Sequence, residues 1–239
     1  MLFFSWYYIY KMNHAKFAQA AYTLNMPSLK NNQRIERANA IIGDDYKTHE
    51  ASNRNVSLYM NDKTKEAVIS HRGTAFNNKH DLAGDLAFIF GNEAHSKEFD
   101  KRRNRSEKIL KHVPKDYKLH MNGYSYGGAT AIDALVNSPK LRKRVDGEVH
   151  LYNPLSKSSY NPKIILSKNE SIQDAKHDLN KKIITHRTQH DIVSIAGSPF
   201  GETRTHEAKY KHHGVMPEFL KPAFETINQL QTHSIKNFV

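Results

Sequence analysis

The chain has 239 residues, a length that suits one domain, and its 38% hydrophobic and 10% aromatic content supplies a core, which excludes a disordered chain. It contains no cysteine, so a disulfide framework, a thiol nucleophile, a cysteine zinc site and an iron–sulfur cluster are all excluded. The same absence fits a reducing compartment and favours a cytoplasmic or membrane-surface setting over secretion. A formal net charge of +12 attracts polyanions, either nucleic acid or an anionic membrane surface, but says nothing about fold.

Residues 1–11 form an apolar N-terminal extension, and residues 12–239 read as a single domain. The first ten, MLFFSWYYIY, are apolar apart from Ser5. The run is shorter than the roughly 20 apolar residues a bilayer requires. No basic residue precedes it, against the pattern of a signal peptide. Four readings stay open: an interfacial membrane anchor, a segment packed on the domain, a secretion signal cut near Ala18-Gln19-Ala20, or a start at Met12.

Residues near 12–25 read as a helix, and residues near 26–55 as a polar, turn-rich stretch. Val56–Met60 alternates like a strand, Asn61-Asp62-Lys63 is a turn, and Glu66–Gly73 is a second strand, so the two form a hairpin. The stretch 81–90 is apolar on one face. Glu93–His112 reads as a long basic amphipathic helix that stops before Pro114. Then follow a strand (Lys118–Asn122), a helix (Gly127–Val136), a strand (Glu148–Tyr152), a helix (Ser171–Asn180), a strand (Lys182–Arg187) and a last helix (Glu218–Leu230). Alternating strands and helices predict an α/β fold. Its central sheet is mainly parallel, with helices on both faces and an antiparallel N-terminal hairpin.

The chemistry is carried by residues 123–128, Gly-Tyr-Ser-Tyr-Gly-Gly. They satisfy G-x-S-x-G between a predicted strand and a predicted helix, the context of a nucleophile elbow. The strand turns sharply into the helix with Ser125 at the apex, and nothing bulky fits two residues to either side. A serine hydroxyl needs a base within hydrogen-bond reach, and the base needs an orienting carboxylate. In this architecture the chain order is Ser, acid, His. Asp191 follows the strand after the elbow and is the best-placed acid. Asp174 and Asp178 fall inside a predicted helix, and Asp146 precedes its strand. For the base, His233 lies beyond the last helix, with His206, His212 and His213 as rivals. Two backbone N–H groups complete the reading as an oxyanion hole: that of Tyr126, next to the nucleophile, and that of Thr74, which follows the strand ending Arg72-Gly73.

These motifs, in this order, resemble the class 3 (fungal-type) lipase family of the α/β-hydrolase fold. Val68–Thr74 is similar to the family's strand ending in Arg-Gly-Ser/Thr, Gly123–Ala129 to its elbow, and Val149–Pro154 to the next strand and turn. Asp191-Ile192-Val193 is similar to its catalytic-acid segment, and His233–Phe238 to the terminal segment carrying the catalytic histidine. The resemblance singles out His233 among the histidines. It implies ester hydrolysis on a lipid or other acyl ester, without metal or organic cofactor and with at most transient membrane contact. Three departures stand out. Tyr124 replaces the usual His, Tyr126 replaces the usual Leu, and the lid segment at 75–82 is short and polar, which predicts little interfacial activation. A phospholipase acting on anionic membranes and a catalytically silent lipase-like binding protein are the alternatives. Nucleic-acid binding beyond charge attraction is not expected, because the basic stretch 97–118 has few aromatics and no recognition motif.

Overall fold

The computed structural model describes residues 13–26, 28–73, 95–155, 170–189, 200–207 and 238–239. The predicted helix over 218–230, the segment 81–90, the lid segment and the N-terminal extension lie outside them. In chain order the elements are α1 (His14–Thr23), α2 (Asn31–Ile42), β1 (Lys47–Thr48), β2 (Val56–Asn61), β3 (Glu66–His71) and α3 (His95–Leu110). They continue with β4 (Lys118–Tyr124), α4 (Tyr126–Asn137), α5 (Pro139–Arg144), β5 (Val149–Tyr152), α6 (Glu170–Lys182), β6 (Ile183–Thr188) and β7 (Glu202–His206). Among the described residues no helix is long and apolar enough to cross a membrane.

The seven strands form one sheet in sequential order. β1, β2 and β3 pair antiparallel, and every pair from β3 to β7 is parallel. The expected α/β architecture is present, a mainly parallel sheet entered through an antiparallel hairpin. One strand beyond the predicted hairpin, β1, takes the outer edge.

Strand alternation sorts the two faces. Ala67 and Ile69 of β3, Leu119 and Met121 of β4, and Val149 and Leu151 of β5 point into a single apolar cluster. There they meet Ile109 of α3, Ile132 and Leu135 of α4, Leu141 of α5 and Leu179 of α6. The opposite side chains, Val68 of β3, Tyr124 of β4 and Tyr152 of β5, belong to clusters containing residues of α1 and α2. Helix α1 can lie close on the sheet because Ala15, Ala18, Ala20 and Ala21 are small, and all four are buried. Its first turn is capped by Asn13, whose side chain accepts from the Ala15 N–H at 3.1 Å.

Helix α2 corrects the reading of 26–55 as turns alone. Ile35, Ala38 and Ile42 recur at helical spacing and pack into the α1 cluster, while Glu36 and Arg37 face the water. Gly43 ends the helix at φ 89°, which a side chain would resist. The strand β7 was also not anticipated. Its sequence Glu-Thr-Arg-Thr-His is polar because it ends the described sheet, with both faces partly in water.

Candidate active site

Ser125 stands between the last residue of β4 and the first of α4, as the elbow motif requires. Its backbone sits at φ 54°, ψ −124°, a region costly for any residue but glycine. The surroundings impose it. The Ser125 N–H donates to the Tyr152 carbonyl at 2.9 Å and so continues the β4–β5 ladder. The Ser125 carbonyl accepts from Gly128 N at 2.9 Å and from Leu155 N at 3.2 Å. Strand pairing holds one side of the peptide while the helix and the exit of β5 hold the other.

The flanking glycines are required by contact. A Cβ on Gly123 would lie 2.4 Å from the Gly127 carbonyl oxygen, and one on Gly127 would lie 2.1 Å from that of His71. A Cβ on Gly128 would meet Pro154 at 2.8 Å. Helix α4 is thereby pressed between the ends of β3 and β5. Gly73 is equally tight, since a Cβ there would lie 2.6 Å from the Tyr124 carbonyl oxygen. The exit of β3 therefore runs against the residue that precedes the serine.

Tyr126 opens α4, and first-turn N–H groups point out of a helix's N-terminal end, the direction an oxyanion donor needs. Its ring is buried with Phe99, Ala129 and Leu155. The guanidinium of Arg102 covers that ring at 4.7 Å and donates to the Arg72 carbonyl. Arg102 is buried and also bonds Glu98 at 3.1 Å, so it ties α3 to both the β3 exit and the elbow helix. Nothing in the sequence singled it out, because its partner Arg72 is 30 residues away. Beside it, buried His71 spans α3 and α4: its Nδ1 meets Thr130 Oγ1 at 3.0 Å and its Nε2 meets Ser106 Oγ at 2.9 Å. Burial first, and the Arg102 charge second, push its pKa down to about 3, so it is a neutral structural histidine.

Of the five residues singled out from the sequence, Ser125 and Tyr126 are adjacent at the elbow. Thr74, Asp191 and His233 lie outside the described residues. Of the rival acids, Asp146 accepts from Leu119 N at 2.8 Å and Asp174 and Asp178 lie within α6, as expected. The rival base His206 is on β7, and His212 and His213 are outside the described residues.

A histidine-rich sheet face beside the elbow was not anticipated from the sequence. His150 of β5 meets Glu148 at 2.9 Å through Nε2 and His186 of β6 at 2.9 Å through Nδ1. His186 in turn meets His206 of β7 at 2.9 Å. His14 of α1 stacks on His150 at 3.9 Å, with the planes 16° apart. His14, Glu148 and His150 offer donor atoms within 4.8 Å of one another and could hold a metal ion. Near-parallel rings aim their in-plane lone pairs side by side, however, so one ring would have to turn for both to reach a common ion.

Solved structures similar to this chain include lipase II from Rhizopus niveus, at 18% identity and a TM-score of 0.49 over 78% of this chain and 74% of that one. Another is a lipase from Rhizopus microsporus var. chinensis, at 16% identity and a TM-score of 0.46 over 84% of this chain and 73% of that one. No protein-family model and no curated protein sequence matches the chain.

Proposed function

We propose that the chain is a serine hydrolase that cleaves carboxylic esters of lipids through an acyl-enzyme on Ser125. The observation that carries this reading is the backbone of Ser125, held at φ 54° between a parallel strand and a helix. A strained serine at a strand–helix turn projects its hydroxyl from the C-terminal edge of the sheet, where open α/β folds bind ligands.

Chain connectivity supports Thr74, Asp191 and His233 as its partners. Thr74 directly follows Gly73, which abuts Tyr124. Asp191 comes two residues after Gln189, whose N–H donates to the His206 carbonyl at 2.8 Å at the end of β6. That end is clamped to the exit of β5, since Thr188 N donates to Asn153 Oδ1 at 2.8 Å and Asn153 Nδ2 donates to Thr188 Oγ1 at 3.1 Å. His233 precedes Phe238 by five residues, which can span at most about 18 Å. Phe238 packs on Tyr152 at 5.1 Å, the residue whose carbonyl accepts the Ser125 N–H.

In the proposed cycle His233 takes the Ser125 proton as Oγ attacks the ester carbonyl. The N–H groups of Tyr126 and Thr74 hold the oxyanion, and Asp191 fixes the histidine tautomer. The tetrahedral intermediate expels the alcohol, which receives the proton from His233. Water activated by the same histidine then releases the acid. No metal or organic cofactor takes part.

The test is hydrolysis of p-nitrophenyl esters over a range of acyl lengths by the parent chain, Ser125→Ala and His233→Ala. Both variants should lose about 10⁴-fold or more in kcat. Normal turnover in Ser125→Ala would overturn the assignment. The chain-length profile of the parent separates a short-chain esterase from a lipase.

A further inference from the structure

Away from the elbow, a cavity of about 680 Å³ opens between α2, the 52–55 segment and α3. Six cationic residues line it: Arg34, Arg54, Lys101, Arg102, Arg105 and Lys108. Among the described residues no carboxylate does, and the rest of the wall is Leu24 with asparagine and serine residues. Arg102 has a counter-charge nearby in Glu98. Arg105 is held by one nitrogen, Nη2, on the Ala51 carbonyl, while its Nε is buried with no hydrogen-bond partner among the described residues.

We propose that this cavity is a binding site for a phosphate group. Like charges gathered around one cavity repel one another unless an anion joins them. A buried guanidinium N–H without an acceptor costs stability that an oxyanion would restore. Guanidinium forks match the several oxygens of a phosphate, lysines add point charge, and amide and hydroxyl side chains can complete the shell. The volume fits a small phosphorylated molecule or one lipid headgroup and is too small for a nucleic-acid duplex. Because Arg102 lines the cavity and also covers Tyr126 at 4.7 Å, a phosphate bound here lies one side chain away from the elbow helix.

The site is independent of Ser125 chemistry, so Ser125→Ala should bind phosphate as the parent does. The experiment is calorimetric titration of the full chain with inorganic phosphate and with glycerol 3-phosphate, at constant ionic strength in chloride. It is repeated on the double variant Lys101→Gln/Lys108→Gln and on Lys140→Gln/Lys143→Gln. Both doubles remove two lysines, and only the first removes them from the cavity wall. Phosphate should bind the parent, bind at least about tenfold more weakly to the cavity variant, and bind the α5 variant unchanged. No binding to the parent, or equal weakening in both variants, would overturn the site.

Co-sedimentation with phosphatidylglycerol vesicles, with and without competing glycerol 3-phosphate, distinguishes the source. Competition in the parent that is absent in the cavity variant identifies a lipid headgroup. Phosphate binding with vesicle association that neither glycerol 3-phosphate nor the cavity substitutions change identifies a soluble phosphorylated compound.

Discussion

Ser125 is held against its own backbone preference. Its φ of 54° and ψ of −124° cost about 1–3 kcal/mol in a residue with a Cβ, and the ladder bond to Tyr152 together with the carbonyl bonds from Gly128 and Leu155 impose that cost. Ser125→Gly removes the strain but gives the unfolded chain more freedom, which returns about 0.5–1 kcal/mol. The net expectation is a chain more stable by about 1 kcal/mol that has lost ester hydrolysis. Urea unfolding beside the p-nitrophenyl ester assay reads both. A variant less stable than the parent would show that the serine side chain contributes more than its backbone costs. This residue was legible in the sequence because the constraint is local, as three glycines and a serine within six positions encode one turn. Arg102 and His71 were not legible, because their roles depend on partners 30 to 59 residues away that only strand register and helix packing bring together.

At the scale of elements, β5, β6 and β7 place His150, His186 and His206 on one sheet face as a hydrogen-bonded row ending at Glu148. An ionised carboxylate only accepts, so His150 donates to it through Nε2 and accepts through Nδ1. His186 then donates from Nε2 to His150, and His206 from Nε2 to His186. With the rings neutral, one carboxylate fixes a single tautomer along the row. Histidines whose pKa burial lowers carry a pH consequence whose sign is fixed. His71 titrates near 3 in the folded chain against 6.5 when unfolded, and burial lowers His120 and His206 as well. Below pH 6.5 the unfolded chain therefore binds protons that the folded chain refuses, so stability is complete above that pH and falls as the pH drops. His71 alone gives a slope of about 1.4 kcal/mol per pH unit down to about pH 3. Urea unfolding of the parent and of His71→Gln, followed from neutral to acid pH, should show the variant less stable at neutral pH but shallower in slope by about one proton. Parallel curves would mean that His71 is protonated in the fold. Elements with apolar periodicity, such as β3, β4 and α4, were readable from sequence. Helix α2 was not, since Ile35, Ala38 and Ile42 are spread among polar neighbours, nor was β7, whose side chains are mostly polar. The histidine row was hidden for the same reason as Arg102, because it joins residues up to 36 positions apart.

For the whole molecule, the +12 charge and the elbow act over different distances. Long-range attraction to an anionic surface is screened as the Debye length falls from about 10 Å at 0.1 M salt to about 3 Å at 1 M. In the proposed cycle, bond making at Ser125 would depend instead on hydrogen bonds and fixed dipoles within about 3 Å, which added salt screens far less. Association with phosphatidylglycerol vesicles should therefore fall steeply as sodium chloride is raised, while hydrolysis of a soluble, uncharged p-nitrophenyl ester should change little. Activity measured on ester dispersed in those vesicles should follow the association curve, because there the charge sets how often enzyme and substrate meet. The two assays, run at matched salt, separate the surface from the site. If hydrolysis of the soluble ester fell together with vesicle association, the positive field would have to act within the reaction itself. The cations around Arg102, which lines the cavity and also covers Tyr126 of the elbow helix, would then be the first to substitute.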